Sequence, residues 1–310
     1  MLTSVLLLAG MALAVAGFHG LIRWSLRAPR LIERETPEKF GLAFEEVHIP
    51  GANGKLLFGW LIPSVVAESA PALVVLHGWG GNVETMLPLA PPLHRAGFAL
   101  LLIDARNHGK SDADTFSSLP RFAEDLDHAL DCLQARRGVK PVRLGVVGHS
   151  VGAAAALLAA SRRRDLAAVV SIAAFAHPAG MMRRLLKAWH IPYLPFGWYV
   201  LGYVQRVIGY RFEDIAPLNT IAHVRCPVLL VQGTEDVTVP MAEAELLHTR
   251  RGSGTGGLLL VKGSHDSYDE LDKQIGDVID FLDAALKPEN QADSLTNRAS
   301  GEHARIRSSR

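Results

Sequence analysis

The sequence predicts an α/β domain: a mostly parallel central sheet, helices on both faces and a helical cap inserted late in the chain. Short continuous apolar runs, such as Ala72–Leu76 and Leu166–Ala173, have strand length and lack polar alternation, which suits strands buried on both faces. Stretches of helical period lie between them, and that alternation builds a parallel sheet through helical crossovers. The polar, glycine-rich clusters follow the apolar runs directly. They therefore fall at the carboxyl ends of the strands, where open sheets of this kind hold their sites.

At 310 residues and 49% hydrophobic content, the chain can build one large core. A net charge of +1 offers no global field for nucleic acid, so no nucleic-acid partner is expected. Cys132 and Cys226 have neither disulfide nor metal spacing and are expected to be buried structural thiols.

Residues 1–22 are almost wholly apolar, a run of about 20 residues that is long enough to cross a bilayer as a helix. No Lys or Arg precedes it, whereas Arg23, Arg27, Arg30 and Arg34 follow it. Positive charge stays on the cytoplasmic side, so the expectation is a membrane anchor with the rest of the chain facing the cytoplasm. The alternative is a signal peptide cleaved after Ala14-Val15-Ala16, with export of the remainder, although the basic leading region of such peptides is missing. Residues 23–43 read as a linker.

The main domain spans residues 44–286. Phe44–Ile49 and Leu56–Ile62 read as strands around a turn at Gly51-Ala52-Asn53-Gly54, forming an antiparallel edge. Ala72–Leu76 is the next strand, followed by helix over Val83–Ala96. Phe98–Ile103 is a strand, and Leu119–Arg137 has helical period with Phe122, Leu126, Leu130 and Leu133 on one side. Val142–Val147 leads as a strand into a helix over Ala153–Ser161. Leu166–Ala173, Pro227–Val231 and Gly257–Val261 complete the strands, with a helix near Met241–Thr249 and a last amphipathic helix over Tyr268–Leu286. Residues 287–310 are polar, lack the apolar side chains to pack, and are expected to be disordered.

The chemistry centres on Gly148-His149-Ser150-Val151-Gly152, between a strand and a helix. Such a turn must be tight, and glycines on either side let backbone crowd around Ser150. Serine needs a base to act as a nucleophile at neutral pH. Of 13 histidines, His265 follows the last strand, where a loop can bring an imidazole over the sheet edge. Asp236 follows the preceding strand, and a carboxylate there can hold the imidazole tautomer that accepts the serine proton. Glu235 is the adjacent alternative acid. An oxyanion needs hydrogen-bond donors. The backbone N–H of Val151 and that of Trp79, in His77-Gly78-Trp79-Gly80-Gly81, are the candidates. His77 and His149 are expected to shape the backbone around this machinery, and His177 to cap a helix or lie on the surface.

Together these motifs, with Asp104-x-Arg106-x-x-Gly109-x-Ser111 and Gly233-x-x-Asp236-x-x-Val239-Pro240, resemble the α/β-hydrolase superfamily over roughly Phe44–Leu286. The chain is similar to its membrane-anchored members and to its serine aminopeptidase-like and lysophospholipase-like branch. The resemblance implies the α/β-hydrolase fold, a Ser150–His265–Asp236 triad, an acyl-enzyme mechanism, and neither metal nor organic cofactor. It also implies that Asp104, Arg106 and His108 form a structural turn.

The cap, about residues 177–212, interrupts the strand–helix rhythm. It holds Trp189, Tyr193, Phe196 and Trp198, the expected substrate contacts, and carries Arg183, Arg184, Lys187, Arg206 and Arg211 without an acid. This character suits an acyl chain, an anionic head group or a membrane surface. The expectation is a serine hydrolase acting on a small-molecule or lipid carboxylic ester or thioester with an apolar acyl group. A serine aminopeptidase is the enzymatic alternative and would require an acidic group for the substrate amine. A non-catalytic ligand-binding protein on the same fold is the alternative of another class.

Overall fold

The computed structural model of the chain describes residues 2–66, 70–136, 143–252, 256–266 and 271–287. Val142, the expected helix start at Tyr268, and the tail beyond Lys287 lie outside the described residues. Eight strands form a single sheet: β1 Glu45–Pro50, β2 Leu56–Ile62, β3 Ala72–Leu76, β4 Ala99–Ile103, β5 Leu144–His149, β6 Leu166–Ile172, β7 Val228–Gly233 and β8 Leu258–Val261. Their order is β1-β2-β4-β3-β5-β6-β7-β8. The β1–β2 and β2–β4 pairs are antiparallel, and every later pair is parallel.

The helices are α1 Leu2–Ser25, α2 Ala90–Arg95, α3 Leu119–Ala135, α4 Val151–Arg162, α5 Pro178–Ala188, α6 Trp198–Ile208, α7 Phe212–Ile215, α8 Pro217–Thr220, α9 Met241–Arg250 and α10 Leu271–Leu286. The stretch expected as one helix over Val83–Ala96 divides instead. A 3-10 helix, Val83–Leu89, precedes α2 because Pro88, Pro91 and Pro92 supply no backbone donor for a continuous α-helical ladder.

The pleat divides the core. In β3, Ala72, Val74 and Leu76 pack on the face covered by α3 and α4, while Leu73 and Val75 pack on the face covered by the 3-10 helix, α2 and α10. All five β3 residues are buried, which explains their unbroken apolarity. In α4 every residue from Val151 to Ala160 is buried, and its alanines let the helix lie close to the sheet and to α3.

Strand order reverses at β3, which has β4 on one side and β5 on the other. Leu76 is level with both Ile103 and Gly148, so the loops leaving β3 and β5 emerge side by side at this switch point. Here glycine is a steric requirement. A Cβ on Gly152 would lie 2.4 Å from the His77 carbonyl oxygen, and one on Gly148 would lie 2.5 Å from that of Gly152.

Between β6 and β7 lie α5 to α8, and the stretch expected as the cap, about residues 177–212, holds α5 and α6. Helix α1 is long and apolar enough to cross a membrane, and such a helix near the N-terminus suits either an anchor or a signal sequence. Most of it is exposed, but its end touches α6, where His19 stacks on Tyr203 with ring centroids 4.0 Å apart. The thiols are half-buried rather than buried, although burial still pushes Cys226 up to about 11.

Candidate active site

Ser150 occupies a one-residue corner between β5 and α4 with φ 53° and ψ −116°, a conformation that costs a non-glycine residue about 1–3 kcal/mol. Its N–H donates to the Ile172 carbonyl at 2.8 Å, which fixes the corner to β6. The Ser150 hydroxyl and the His265 Nε2 are 3.0 Å apart, and the His265 Nδ1 is 2.8 Å from the Asp236 Oδ2.

The carboxylate decides the proton positions. Burial raises the Asp236 pKa, but the bonds from His265, Val239 and Gln232 and the charge of His265 outweigh it and hold the acid below its ordinary range. An ionised carboxylate only accepts, so Nδ1 carries the proton, and in the neutral imidazole Nε2 is then the acceptor for the Ser150 hydroxyl. The N–H groups of Thr238 and Val239 each donate to Asp236 Oδ1 at 2.8 Å. Gln232 donates to Oδ2 at 3.0 Å and to the Val239 carbonyl at 2.9 Å.

Asp236 and His265 ride on loops that touch through their backbones. Thr234 donates to the Val261 carbonyl at 2.8 Å and Glu235 to that of Gly263 at 3.0 Å, while a Cβ on Gly233 would lie 2.5 Å from the Gly263 oxygen. The alternative acid, Glu235, is exposed, whereas Asp236 is buried. His149 donates through Nε2 to the His265 carbonyl at 3.0 Å, and burial and the neighbouring His265 lower its pKa to about 4. It remains neutral at neutral pH and holds the His265 backbone in place.

Trp79 sits in a turn closed by Gly81 N–H donating to the Gly78 carbonyl at 3.1 Å, with Gly80 at φ +74°. The turn presses on the serine corner: a Cβ on Gly78 would lie 3.2 Å from that of Ser150. Val151 is the first residue of α4, where helical N–H groups have no intrahelical acceptor. His77 donates from Nδ1 to the Gly78 carbonyl at 2.7 Å and accepts at Nε2 from Ala105 at 3.0 Å. Burial and the nearby His108 hold it well below its ordinary pKa, so it is a neutral strut between the β3 and β4 loops.

A cleft of about 870 Å³ opens over Ser150 and His265. Trp79, Met86, Pro88 and Met181 supply its apolar walls, with Thr238 and Asp266 among its polar groups. Trp189, Tyr193, Phe196 and Trp198 do not line it, a correction to the expected substrate contacts. Tyr193 and Trp198 line a separate cap pocket of about 410 Å³, and Trp189 and Phe196 are exposed. Aromatic content marked the cap without revealing which way its rings face. The sequence alone does not single out Gln232, Met181 or Asp266 as site residues. Only Gln232 left a signal, as the polar residue in an apolar strand.

Asp104, Arg106 and His108 form a closed turn. Arg106 donates from Nε to Asp125 at 2.6 Å and also bonds Glu124, while Asp104 accepts from Val83 at 2.8 Å and Lys110 at 2.9 Å. His177 caps α5, accepting from Ala179 N–H at 3.1 Å. His149, His265 and Asp266 bring potential metal-ligand atoms within 4.8 Å of one another, but both His265 ring nitrogens are engaged by Asp236 and Ser150.

The family model for the alpha/beta hydrolase fold matches residues 71–193, which contain the Trp79 turn and the Ser150 corner. The chain belongs to the α/β-hydrolase superfamily. It is 29% identical over 257 residues to the uncharacterized protein YfhR of Escherichia coli K12, covering 79% of this chain and 83% of that one. It is 31% identical over 205 residues to the uncharacterized protein Rv2307c of Mycobacterium tuberculosis H37Rv, covering 66% of each. Among solved structures, the esterase Pf2001 of Pyrococcus furiosus superposes with a TM-score of 0.69 at 22% identity, over 84% of this chain and 99% of that one. Est1E of Butyrivibrio proteoclasticus, with ferulic acid bound, gives a TM-score of 0.62 at 21% identity, over 78% and 99%. At these identities the structural likeness establishes the fold, and superfamily membership supports a hydrolase.

Proposed function

We propose that this chain is a serine hydrolase cleaving carboxylic esters or thioesters with an apolar acyl group. The observation that carries the reading is the continuous Ser150–His265–Asp236 hydrogen-bond relay at a strained serine corner under an open cleft. Ser150 Oγ attacks the substrate carbonyl while its proton passes to His265 Nε2. Asp236 holds Nδ1–H and stabilises the imidazolium. The tetrahedral oxyanion takes hydrogen bonds from the N–H groups of Val151 and Trp79, each worth ~3 kcal/mol of barrier. Collapse breaks the ester or thioester bond, and His265 returns the proton to the leaving oxygen or sulfur. Water, deprotonated by His265, then releases the acid from Ser150. Met86, Pro88 and Met181 offer the acyl group an apolar wall. The N-terminal helix anchors the enzyme in a membrane, with Arg23 and Arg27 on the cytoplasmic side and the catalytic domain facing the cytoplasm.

One observation favours a second reading. Asp266 is exposed and lines the same cleft, offering the carboxylate that an aminopeptidase needs for its substrate amine. A panel of p-nitrophenyl esters, acyl thioesters, lysophospholipids and aminoacyl amides separates the two. The proposal expects turnover of esters or thioesters above amides. A clear preference for aminoacyl amides, lost in Asp266→Asn, would replace it. Protease protection in sealed vesicles tests the orientation, which is contradicted if the domain is shielded on the cytoplasmic side.

A further inference from the structure

The chain leaving α1 does not hang free as a linker. From Pro29 to Arg34 it runs along the outer side of the turn and 3-10 helix that follow β3. The Pro29 ring packs on Gly80, where an added Cβ would lie 3.0 Å from its Cγ. The Asn82 side chain donates to the Leu31 carbonyl at 3.1 Å, and the Arg34 N–H donates to Glu84 at 2.7 Å. Alternate positions of the loop, Gly80, Asn82 and Glu84, are thus held from outside.

The segment is itself fixed to the body. Arg30 donates to the Gly109 carbonyl at 2.8 Å and to that of Ser111. Ser117 N–H donates to the Leu26 carbonyl at 2.9 Å. The Glu33 carboxyl faces Asp104; burial and this neighbouring acid push Asp104 up to about 8. Asp104 also accepts from Val83, so one side chain touches both the strap and the loop.

We propose that Pro29–Arg34 is a positioning strap for the oxyanion loop, setting the Trp79 N–H against Ser150 so that the juxtamembrane chain forms the outer wall of the site. This rests on the catalytic reading of Ser150 and Trp79. The physical need is plain. A turn containing Gly78, Gly80 and Gly81 is intrinsically soft, whereas a displacement of about 1 Å in a catalytic donor can cost ~100-fold in rate. The serine corner supports the loop from inside, and the strap closes the other side.

The test uses the full chain in detergent micelles with a p-nitrophenyl ester. Arg30→Gln cuts the strap from the body, Glu84→Ala cuts the loop from the strap, and Lys39→Ala, exposed and farther along the same segment, is the control. For Arg30→Gln and Glu84→Ala, kcat and the rate of fluorophosphonate labelling fall about tenfold or more while KM stays within about twofold. Lys39→Ala behaves as wild type. Folded variants with wild-type kcat, or with the loss confined to KM, overturn the proposal. If Arg30→Gln does not fold, Glu84→Ala decides by the same criteria. A wild type that neither turns over ester nor labels at Ser150 instead removes the catalytic reading, and the strap proposal falls with it.

Discussion

Two clusters of carboxylate and imidazole stand at the carboxyl edge of this sheet. One joins Asp104, Arg106 and His108 to Asp125; the other joins Asp236 and His265 to Ser150. Their residue types are similar, but their surroundings differ. Arg106 and Asp125 are each 1% exposed at the side chain, and their hydrogen bonds go to each other, to the Glu124 and Asp114 carboxylates and to neighbouring backbone. In the second cluster Asp236 is equally enclosed, but His265 reaches a cleft and its Nε2 meets a serine hydroxyl. The first cluster is closed within the fold, whereas the second opens an imidazole and a serine hydroxyl onto a cleft. An open cleft beside the relay, and not the mere presence of acid and histidine, separates the proposed site from the closed turn.

The contrast breaks most readily at Asp236. Asp236→Asn leaves the fold intact but removes the acceptor that sets the His265 tautomer, and kcat for ester hydrolysis falls by ~10⁴. Retention of more than about a tenth of the wild-type kcat would show that the carboxylate does not orient the base. The opposite behaviour is expected at Arg106. Arg106→Ala strands a buried carboxylate and lowers unfolding free energy by about 3–5 kcal/mol in denaturant titration, while kcat per folded molecule is retained. A loss of kcat in folded protein would make the first cluster catalytic.

The buried histidines give a smaller, pH-graded effect. Burial and nearby Arg30 lower His108 to about 4, and burial and His265 lower His149 similarly. Between about pH 4 and the ordinary histidine value near 6.5, the unfolded chain binds protons that the folded chain does not. The contribution of these two histidines to stability is therefore full above pH 6.5 and falls as pH drops through this window, by up to about 1.4 kcal/mol per pH unit for each, while Asp104, raised to about 8, and Asp125, raised to about 7, contribute in the opposite direction. The difference in urea midpoint between wild type and His108→Phe, measured from pH 7 to pH 5, isolates the histidine contribution, and a difference that does not change with pH contradicts it. The smallest effect is at Glu235, exposed beside the buried acid. Glu235→Gln leaves kcat and KM unchanged, and a drop like that at Asp236 would exchange the two roles.

Much of the fold was readable because sheet burial writes itself into sequence. Ala72–Leu76 and Leu56–Ile62 have the predicted bounds since nothing polar interrupts them. Ser150, Asp236 and His265 could be picked out because each follows its own strand, and such positions converge at one edge. Features that depend on direction were not readable. Trp189 and Phe196 are aromatic whether they face a cleft or solvent. Met181 reaches the cleft from a helix whose rotation the sequence does not encode. Residues 26–34 lack periodic apolarity and read as linker, because their attachments are backbone carbonyls, a proline ring and one guanidinium. Pro88 signalled a broken helix, but the apolar period around it masked the break.

The central claim is that Ser150 is an activated nucleophile. Full-length wild type and Ser150→Ala, matched by circular dichroism, are treated with a fluorophosphonate probe and the labelled peptide is identified by mass spectrometry. The account predicts stoichiometric labelling of wild type at Ser150 and none in Ser150→Ala. Folded wild type that stays unlabelled, or equal labelling of both proteins, would contradict it.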